Sequence, residues 1–334
     1  MTPGASAELV IETPTAREQS AKLRAIVLAS VIGTTVEWYD FLIYGTAAAL
    51  VFNKLFFPSF DPFVGTLAAF GSYAVGFVAR PFGGAVFGHF GDRTGRKTML
   101  TLTMLIMGAG TFLIGCLPTY SSIGVWAPIL LIALRLLQGI GIGGEWGGAV
   151  LMVIEHAPEG RRGFYGSLVQ VGFPIGVAAS TGTFLYMSQA MAEADFLAWG
   201  WRLPFLFSAV LIGVGLFIRM RLQETPAFAQ VKREGVSDAP LLDVILRQPR
   251  TFLIAVGMKV SEVAWVYVLT VFSIVYATTK LGLPRTLILN AILLAALAEL
   301  VTIPLFGALS DRVGRKPLYI AGAILSAAFA FPMF

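Results

Sequence analysis

The sequence predicts an all-α integral membrane protein built as two related helical bundles, the second incomplete, and three observations carry that prediction. The 334-residue chain is 57% hydrophobic and only 13% charged, with mean hydropathy +0.79. A soluble domain could not hide so much apolar surface. Apolar runs of about 20 residues or more, enough to cross a bilayer as helix, recur along the whole length. A ten-residue charged pattern also occurs twice, 219 positions apart. The first copy is Gly88-His-Phe-Gly-Asp92-Arg93-Thr-Gly95-Arg96-Lys97. The second is Gly307-Ala-Leu-Ser-Asp311-Arg312-Val-Gly314-Arg315-Lys316. Gly, Asp, Arg, Gly, Arg and Lys match in register, and each copy joins one apolar run to the next.

Residues 1–24 are polar, with three Lys/Arg and three Glu, and read as a cytoplasmic N-terminal tail. Apolar runs follow at 25–52, 63–87, 98–117, 126–154, 164–190 and 203–222, a bundle of six helices spanning 25–222. The first run carries Glu37 and Asp40 and precedes many others, so it is not a cleaved signal peptide. Stretch 223–250 is the one long polar interruption; with Pro226, Pro240 and Pro249 it reads as a cytoplasmic linker. Runs 251–279, 286–306 and 318–334 then form the first part of a second bundle over 251–334. A second half mirroring the first would end near 441, so the chain is expected to stop in helix 9 of such a plan.

Basic residues orient the helices. The tail and every second loop hold 17 of the 24 Lys and Arg, whereas the opposite loops hold Lys54, Arg202, Lys280 and Arg285. Cytoplasmic loops are the Lys/Arg-rich ones, which puts the N-terminus, both repeated loops and the linker inside. The net charge of +5 is therefore explained by topology, and no nucleic-acid partner is inferred from it. Cys116 is the only cysteine, so an internal disulfide is excluded. His89 and His156 lack metal-ligand spacing, no metal site is expected, and no serine–histidine–acid set suggests an enzyme.

A duplicated charged loop between apolar helices marks transporters built from two similar halves. The repeated Gly-x-x-x-Asp-Arg-x-Gly-Arg-Lys loop resembles the signature between helices 2 and 3, and 8 and 9, of the major facilitator superfamily. Glu37-Trp-Tyr-Asp40-Phe, Ala79-Arg80-Pro81-Phe-Gly83-Gly84 and Arg135-Leu-Leu-Gln138-Gly139-Ile-Gly141-Ile-Gly143-Gly144-Glu145-Trp146-Gly147-Gly148 are similar to stretches of its metabolite:proton symporters. Trp199-Gly-Trp201-Arg202-Leu-Pro204-Phe and Glu224-Thr-Pro226-x-Phe228 fit the same family. The resemblance covers nearly the whole chain and is strongest to members that carry shikimate; others carry citrate, 2-oxoglutarate, or proline and betaine. It implies a bacterial inner-membrane symporter, using no cofactor beyond the coupling proton, that moves a small organic anion by alternating access as a monomer. A transporter-like sensor, or a remnant that does not transport, is the alternative reading. Glu299 departs from the family pattern.

Ions inside a membrane cost about 2.5–3.5 kcal/mol near a helix centre, so those that persist face a cavity or a partner. That argument selects Glu37, Asp40, Arg80, Arg135, Glu145, Lys259, Glu262 and Glu299. Glu37 and Asp40 share a helix face, and Tyr44 extends it. Two close carboxylates cannot both ionise cheaply in low dielectric, which suits a proton carrier. Arg135 needs an acid from another helix, and Asp40 or Glu37 is the expected source. With Glu145, these four form the expected proton-coupling set. Arg80 and Lys259, one from each half, could meet a substrate anion at a central cavity, with Glu262 and Tyr44 nearby; Glu262 is equally a partner for Lys259. The glycines at 139, 141 and 144 formally match a dinucleotide fingerprint, but inside an apolar helix they are expected to serve packing. At the inner rim, Gly88, Asp92, Arg93, Arg96 and Lys97, with Glu155 as acid partner, and Asp311, Arg312 and Arg315 in the second copy, are expected to gate.

Overall fold

In the computed structural model the described residues are 16–58, 61–94, 96–143, 145–220, 246–330 and 332, and they contain no strand. Helix α1 runs Ala16–Ala47, passes through a π turn at Ala48–Phe52 and ends at Asn53–Leu55. It begins nine residues before the apolar run, because Ala-Arg-Glu-Gln-Ser-Ala-Lys-Leu after Pro14 consists mostly of good helix formers. Helices α2 (Pro62–Thr94) and α3 (Arg96–Cys116) follow. Helix α4 is made of Trp126–Ile142 and Glu145–His156, and α5 of Arg162–Gln170 and Gly172–Ala190. A short helix, Glu193–Ala198, and a 3₁₀ turn, Gly200–Arg202, lead into α6 (Leu203–Met220). Residues 223–245 of the expected linker, with 221–222 before them, lie outside the described residues.

Helix α7 starts at Pro249, where proline's missing N–H costs nothing. It runs Pro249–Tyr267, bulges through a π turn at Val268–Phe272 and finishes as Ser273–Thr279. Helices α8 (Arg285–Val313) and α9 (Arg315–Ala330) complete the described chain. The two π turns lie 220 residues apart, against 219 for the repeated loop, so α1 and α7 share a bulge as well as a place in the repeat.

Among the described residues, six helical stretches are long and apolar enough to cross a membrane: Ser20–Leu55, Phe63–Phe87, Arg162–Met187, Gly200–Phe217, Pro249–Thr279 and Arg285–Val313. Two of the eight full runs read from sequence fall short as single helices. The apolar part of α3 is Thr101–Cys116, because its first turn is Arg-Lys-Thr; that of α4 ends at Ile142, where the helix is interrupted.

Helix α1 packs on α5, α2 on α4, and α3 on both α4 and α6. The α2–α4 contact is backbone on backbone. A Cβ on Gly83 would run into the Ile140 carbonyl, one on Gly139 into the Gly76 carbonyl, and one on Gly143 into the Arg80 carbonyl. Of the dinucleotide-like glycines, Gly139 thus serves close helix approach, while Gly144 lies outside the described residues. At one end of the bundle Phe52, Phe56, Trp201 and Phe205 form an aromatic cluster. Lys54 pairs with Glu193 there at 3.2 Å, and the Arg202 guanidinium donates to the carbonyls of Gly115 and Leu117. These residues belong to loops that the charge pattern assigns to one face. Helix α8 joins the second half to the first by lying along both segments of α5.

Candidate functional site

A cavity of about 240 Å³ opens where α1, α2, α4, α5 and α7 converge. Its charged lining comes from both halves: Glu37 and Arg80 from the first, Lys259 and Glu262 from the second. Trp38, Gln170 and Phe173 supply stacking surface and an amide. The cavity contains the Arg80 and Lys259 pair expected from sequence. Lys259 donates to Glu262 at 3.1 Å one turn away, so its charge is balanced within its own helix. Arg80 is different. Its guanidinium carbon sits 4.1 Å over the Phe41 ring and 5.0 Å from that of Phe77, and its buried Nε has no hydrogen-bond partner. A cation held by ring faces, with N–H capacity left over, is suited to take an anionic oxygen.

Beside the cavity lies a buried polar chain. Asp40, Thr111, Arg135 and Gln138 are each at most 1% exposed. Arg135 Nη1 donates to Gln138 Oε1 at 3.1 Å, Gln138 Nε2 donates to Thr111 Oγ1 at 2.5 Å, and Thr111 Oγ1 donates to Asp40 Oδ2 at 3.1 Å. The chain crosses from α4 to α3 to α1. Thr111 has one hydroxyl proton and a second acceptor, the Met107 carbonyl, also at 3.1 Å. It can therefore serve an ionised Asp40, or turn away when Asp40 holds its own proton.

Two expectations are corrected here. Arg135 makes no ion pair with Asp40 or Glu37. Its guanidinium carbon lies 4.0 Å from the Phe41 ring, 4.3 Å from Tyr44 and 4.7 Å from Tyr73, and contact with the acid runs through two neutral side chains. Phe41 is thus sandwiched between Arg80 and Arg135. Tyr44 does not line the cavity; its hydroxyl bonds Ser72 Oγ at 2.7 Å and its ring stacks on Tyr73, inside the core. Glu37 and Asp40 also part company, Glu37 facing the cavity and Asp40 facing α3. From the second half, Tyr267 closes the cluster with edge contacts to Tyr73 at 5.6 Å and Phe77 at 4.9 Å. The side chain of Glu145 lies outside the described residues.

The second copy of the repeated loop reveals what its matched residues do. Gly307 lets α8 press against Ser167 and the Gly163 carbonyl of α5; a side chain there would collide with both. Asp311 accepts from the backbone N–H groups of Gly163 at 2.7 Å and Phe164 at 2.9 Å. Helix α5 begins after Arg161, which provides no side-chain cap, so its first donors are open and the carboxylate fills them. Arg315 clamps the same carboxylate at 3.0 Å and reaches Ser310 Oγ at 2.6 Å. Gly314, at φ 95°, ends α8 in a conformation that favours glycine. Arg312 lines a crevice with Arg161 and Phe164 next to this latch.

The partner expected for the loop cations was Glu155. Glu155 is exposed and pairs with no described residue, and the side chains of the first-copy cations expected to meet it lie outside the described residues. In the first copy, the side chains of His89, Asp92, Arg93, Arg96 and Lys97 lie outside the described residues, as does Gly95, while Gly88 falls in the helical part of α2. His156 bonds the Met152 carbonyl within its own helix, and among the described residues no group of three or more metal-ligating side chains gathers.

The known proteins that resemble this chain are transporters. A family model described as sugar (and other) transporter matches residues 25–243. The shikimate transporter of Escherichia coli is 47% identical over 317 residues, covering 94% of this chain and 72% of that protein. The inner membrane metabolite transport protein YhjE of Escherichia coli is 43% identical over 314 residues, 92% of this chain and 71% of its own length. Among solved structures, the major facilitator proton:xylose symporter XylE bound to 6-bromo-6-deoxy-D-glucose superposes with TM-score 0.64 over 90% of this chain and 71% of that one, at 17% identity, a likeness of fold alone. With its all-helical fold, its cavity between two related halves and a family model matched over most of its length, the chain belongs to the sugar (and other) transporter family of the major facilitator superfamily.

Proposed function

We propose that this transporter is a proton-coupled symporter of a small organic acid, shikimate-like or a di- or tricarboxylate, in a bacterial inner membrane with its N-terminus in the cytoplasm. The observation that carries the reading is the juxtaposition of two sites across Phe41. On one side, Arg80 faces a cavity of metabolite size with donors to spare. On the other, Arg135 heads a hydrogen-bond chain ending on the buried carboxyl of Asp40.

In this reading the substrate carboxylate docks on Arg80, with Lys259 as a second, already balanced cation. Asp40 holds the coupling proton. While Asp40 is ionised, Thr111 and Gln138 orient donors towards it and Arg135 supplies the compensating charge. When Asp40 is protonated, Thr111 turns to the Met107 carbonyl and the chain relaxes. Substrate charge at Arg80 and proton charge at Asp40 act on two guanidinium groups that share one aromatic ring, which gives the sites a physical route to sense each other. Glu37, on the cavity wall and one turn from Asp40, is placed to pass the proton between cavity and chain. Asp311 on the α5 N-terminus latches the two halves at the end that the charge pattern assigns to the cytoplasm, and Asp92, at the matching place of the first copy, is assigned the same gating role.

The cavity's two acids and two bases also suit a zwitterion, so the test includes one. Uptake of labelled shikimate, 2-oxoglutarate, citrate and betaine into inverted-gradient and gradient-free vesicles decides the reading. Gradient-driven accumulation of an acid supports it. Accumulation of betaine alone replaces the substrate class, and binding without accumulation of any probe favours a sensor.

A further inference from the structure

The two halves carry inverted charges at equivalent positions. Asp40 and Lys259 each stand 48 residues before the first glycine of their own repeated loop, and Arg80 and Glu299 each stand eight residues before it. The first half places an acid on α1 and a base on α2; the second places a base on α7 and an acid on α8. Three of these four side chains enter the cavity or the buried chain described above. Glu299 is the one that neither uses.

Its position is unusual for an ion. Glu299 lies at the midpoint of α8, 14 residues from Arg285 and 14 from Val313, which is about 21 Å of helix on each side. It follows Ile292 by seven residues and so falls on the same face of α8, to within about 20°. That face packs on the first half: Leu289, Ile292 and Ala296 join Leu42 and Val177, and further along Gly307 meets Ser167. Glu299 is half-buried, shares the register of this face, and makes no hydrogen bond or ion pair with any described residue.

The titratable groups of the neighbouring elements are engaged elsewhere. On α5, Arg162 stands at the latch end, Tyr165 packs with Ile26 and Val153, and Tyr186 is exposed. On the last segment of α7, Tyr276 stacks on Phe272. On α9, Arg315 is held by Asp311, Lys316 is exposed in the first turn near the latch, and Tyr319 bonds the Met258 carbonyl. An ionised carboxylate with no partner is costly at mid-membrane depth, and a neutral carboxylic acid is the form such a position tolerates. Glu299 is also outside the cavity lining.

We propose that Glu299 is a second proton-binding site of the carrier, distinct from Asp40, set in register with the α5–α8 seam as the charge-inverted counterpart of Arg80 and occupied by a proton in the conformation described here. Because α8 is the element by which the second half lies along the first, loading and unloading of this group follow the relative movement of the halves. The proposal rests on the symporter reading for its role in transport, but not for the presence of the proton.

Infrared spectra of the full chain in liposomes at neutral pH test both parts separately. The difference between native protein and Glu299→Gln should contain one protonated carboxyl band, lost in the variant. In Glu299→Asp the band should be retained at a shifted frequency, which serves as the readout if the glutamine variant does not insert. In vesicles with a proton gradient, Glu299→Gln should flatten the pH dependence of labelled-shikimate uptake while leaving shikimate exchange intact. Loss of an ionised carboxylate band in place of a protonated one overturns the proposal. So does an unchanged pH profile in a well-inserted glutamine variant. If native protein shows no gradient-driven uptake of the probe, the symporter reading fails and the infrared band alone judges Glu299.

Discussion

Replacing Asp311 with Ala should open the contact between the halves at the second repeated loop. The carboxylate is nearly buried, at 9% side-chain exposure, and accepts from two main-chain donors of α5. An N-terminal capping contact of this kind contributes about 0.5–2 kcal/mol, and a charge at a partly buried helix terminus up to ~2 kcal/mol. The Arg315 pair adds little, because Arg315 is 58% exposed and solvent screens it. Water replaces some of what is lost when the latch opens, so a net 1–2 kcal/mol is a fair value, or roughly a 5–30-fold shift in the closed-to-open ratio. Ser167, which touches Gly307 across the seam, reports that shift. With Cys116 changed to Ser, a cysteine introduced by Ser167→Cys should be alkylated by a water-soluble maleimide 5–30-fold faster in Asp311→Ala protein than in its parent. Asp311→Asn should fall between the two, since one amide oxygen can still accept. Equal labelling rates in all three would refute the latch.

Other perturbations test the site and the packing. Thr111→Val keeps the shape but cuts the chain from Arg135 to Asp40, leaving buried donors unserved at about 1–3 kcal/mol; gradient-driven uptake should fall while substrate exchange persists, and unchanged uptake would remove Thr111 from coupling. Arg80→Gln should weaken binding of an acid substrate by about 2–5 kcal/mol, the cost of stranding a desolvated charge, while its methyl ester should be nearly indifferent; equal loss for acid and ester, measured by calorimetry, would take Arg80 out of the site. Gly83→Ala drives a Cβ into the Ile140 carbonyl and should cost about 1–3 kcal/mol by overpacking. Gly71→Ala, with nothing within 4 Å, is its control, and thermal melts in detergent should separate the two.

The helices were legible because a bilayer imposes a crude rule, about 20 apolar residues per crossing, that composition satisfies openly. The repeat was legible because its charged residues interrupt that pattern. What stayed hidden depended on groups without charge. Thr111 and Gln138 stand on apolar helices as ordinary polar residues, so an argument from the cost of intramembrane ions passes over them and expects a direct pair for Arg135. The stabilisation of that guanidinium by Phe41, Tyr44 and Tyr73 was equally silent, since aromatics are common in any membrane helix. The partner of Asp311 is two backbone amides, which have no sequence signature beyond an uncapped helix start at Arg161. The interruption after Ile142 and the π turns in α1 and α7 were not expected from sequence; the glycines around Ile142 announced close approach without saying where the helix would break. The cavity set of Glu37, Arg80, Lys259 and Glu262 was found by cost alone, because each is an ion that a lipid-facing position would not keep.

The account's central claim is that a proton on Asp40 drives substrate across the membrane. Its most direct test uses native and Asp40→Asn protein in liposomes, with labelled shikimate as probe. Native protein should accumulate shikimate when the outside is acid, and should also exchange it across a membrane without a gradient. The Asn side chain can still accept from Thr111 but cannot cycle a proton, so this variant should exchange shikimate at a comparable rate and accumulate none. Gradient-driven accumulation by the Asp40→Asn protein would contradict the claim.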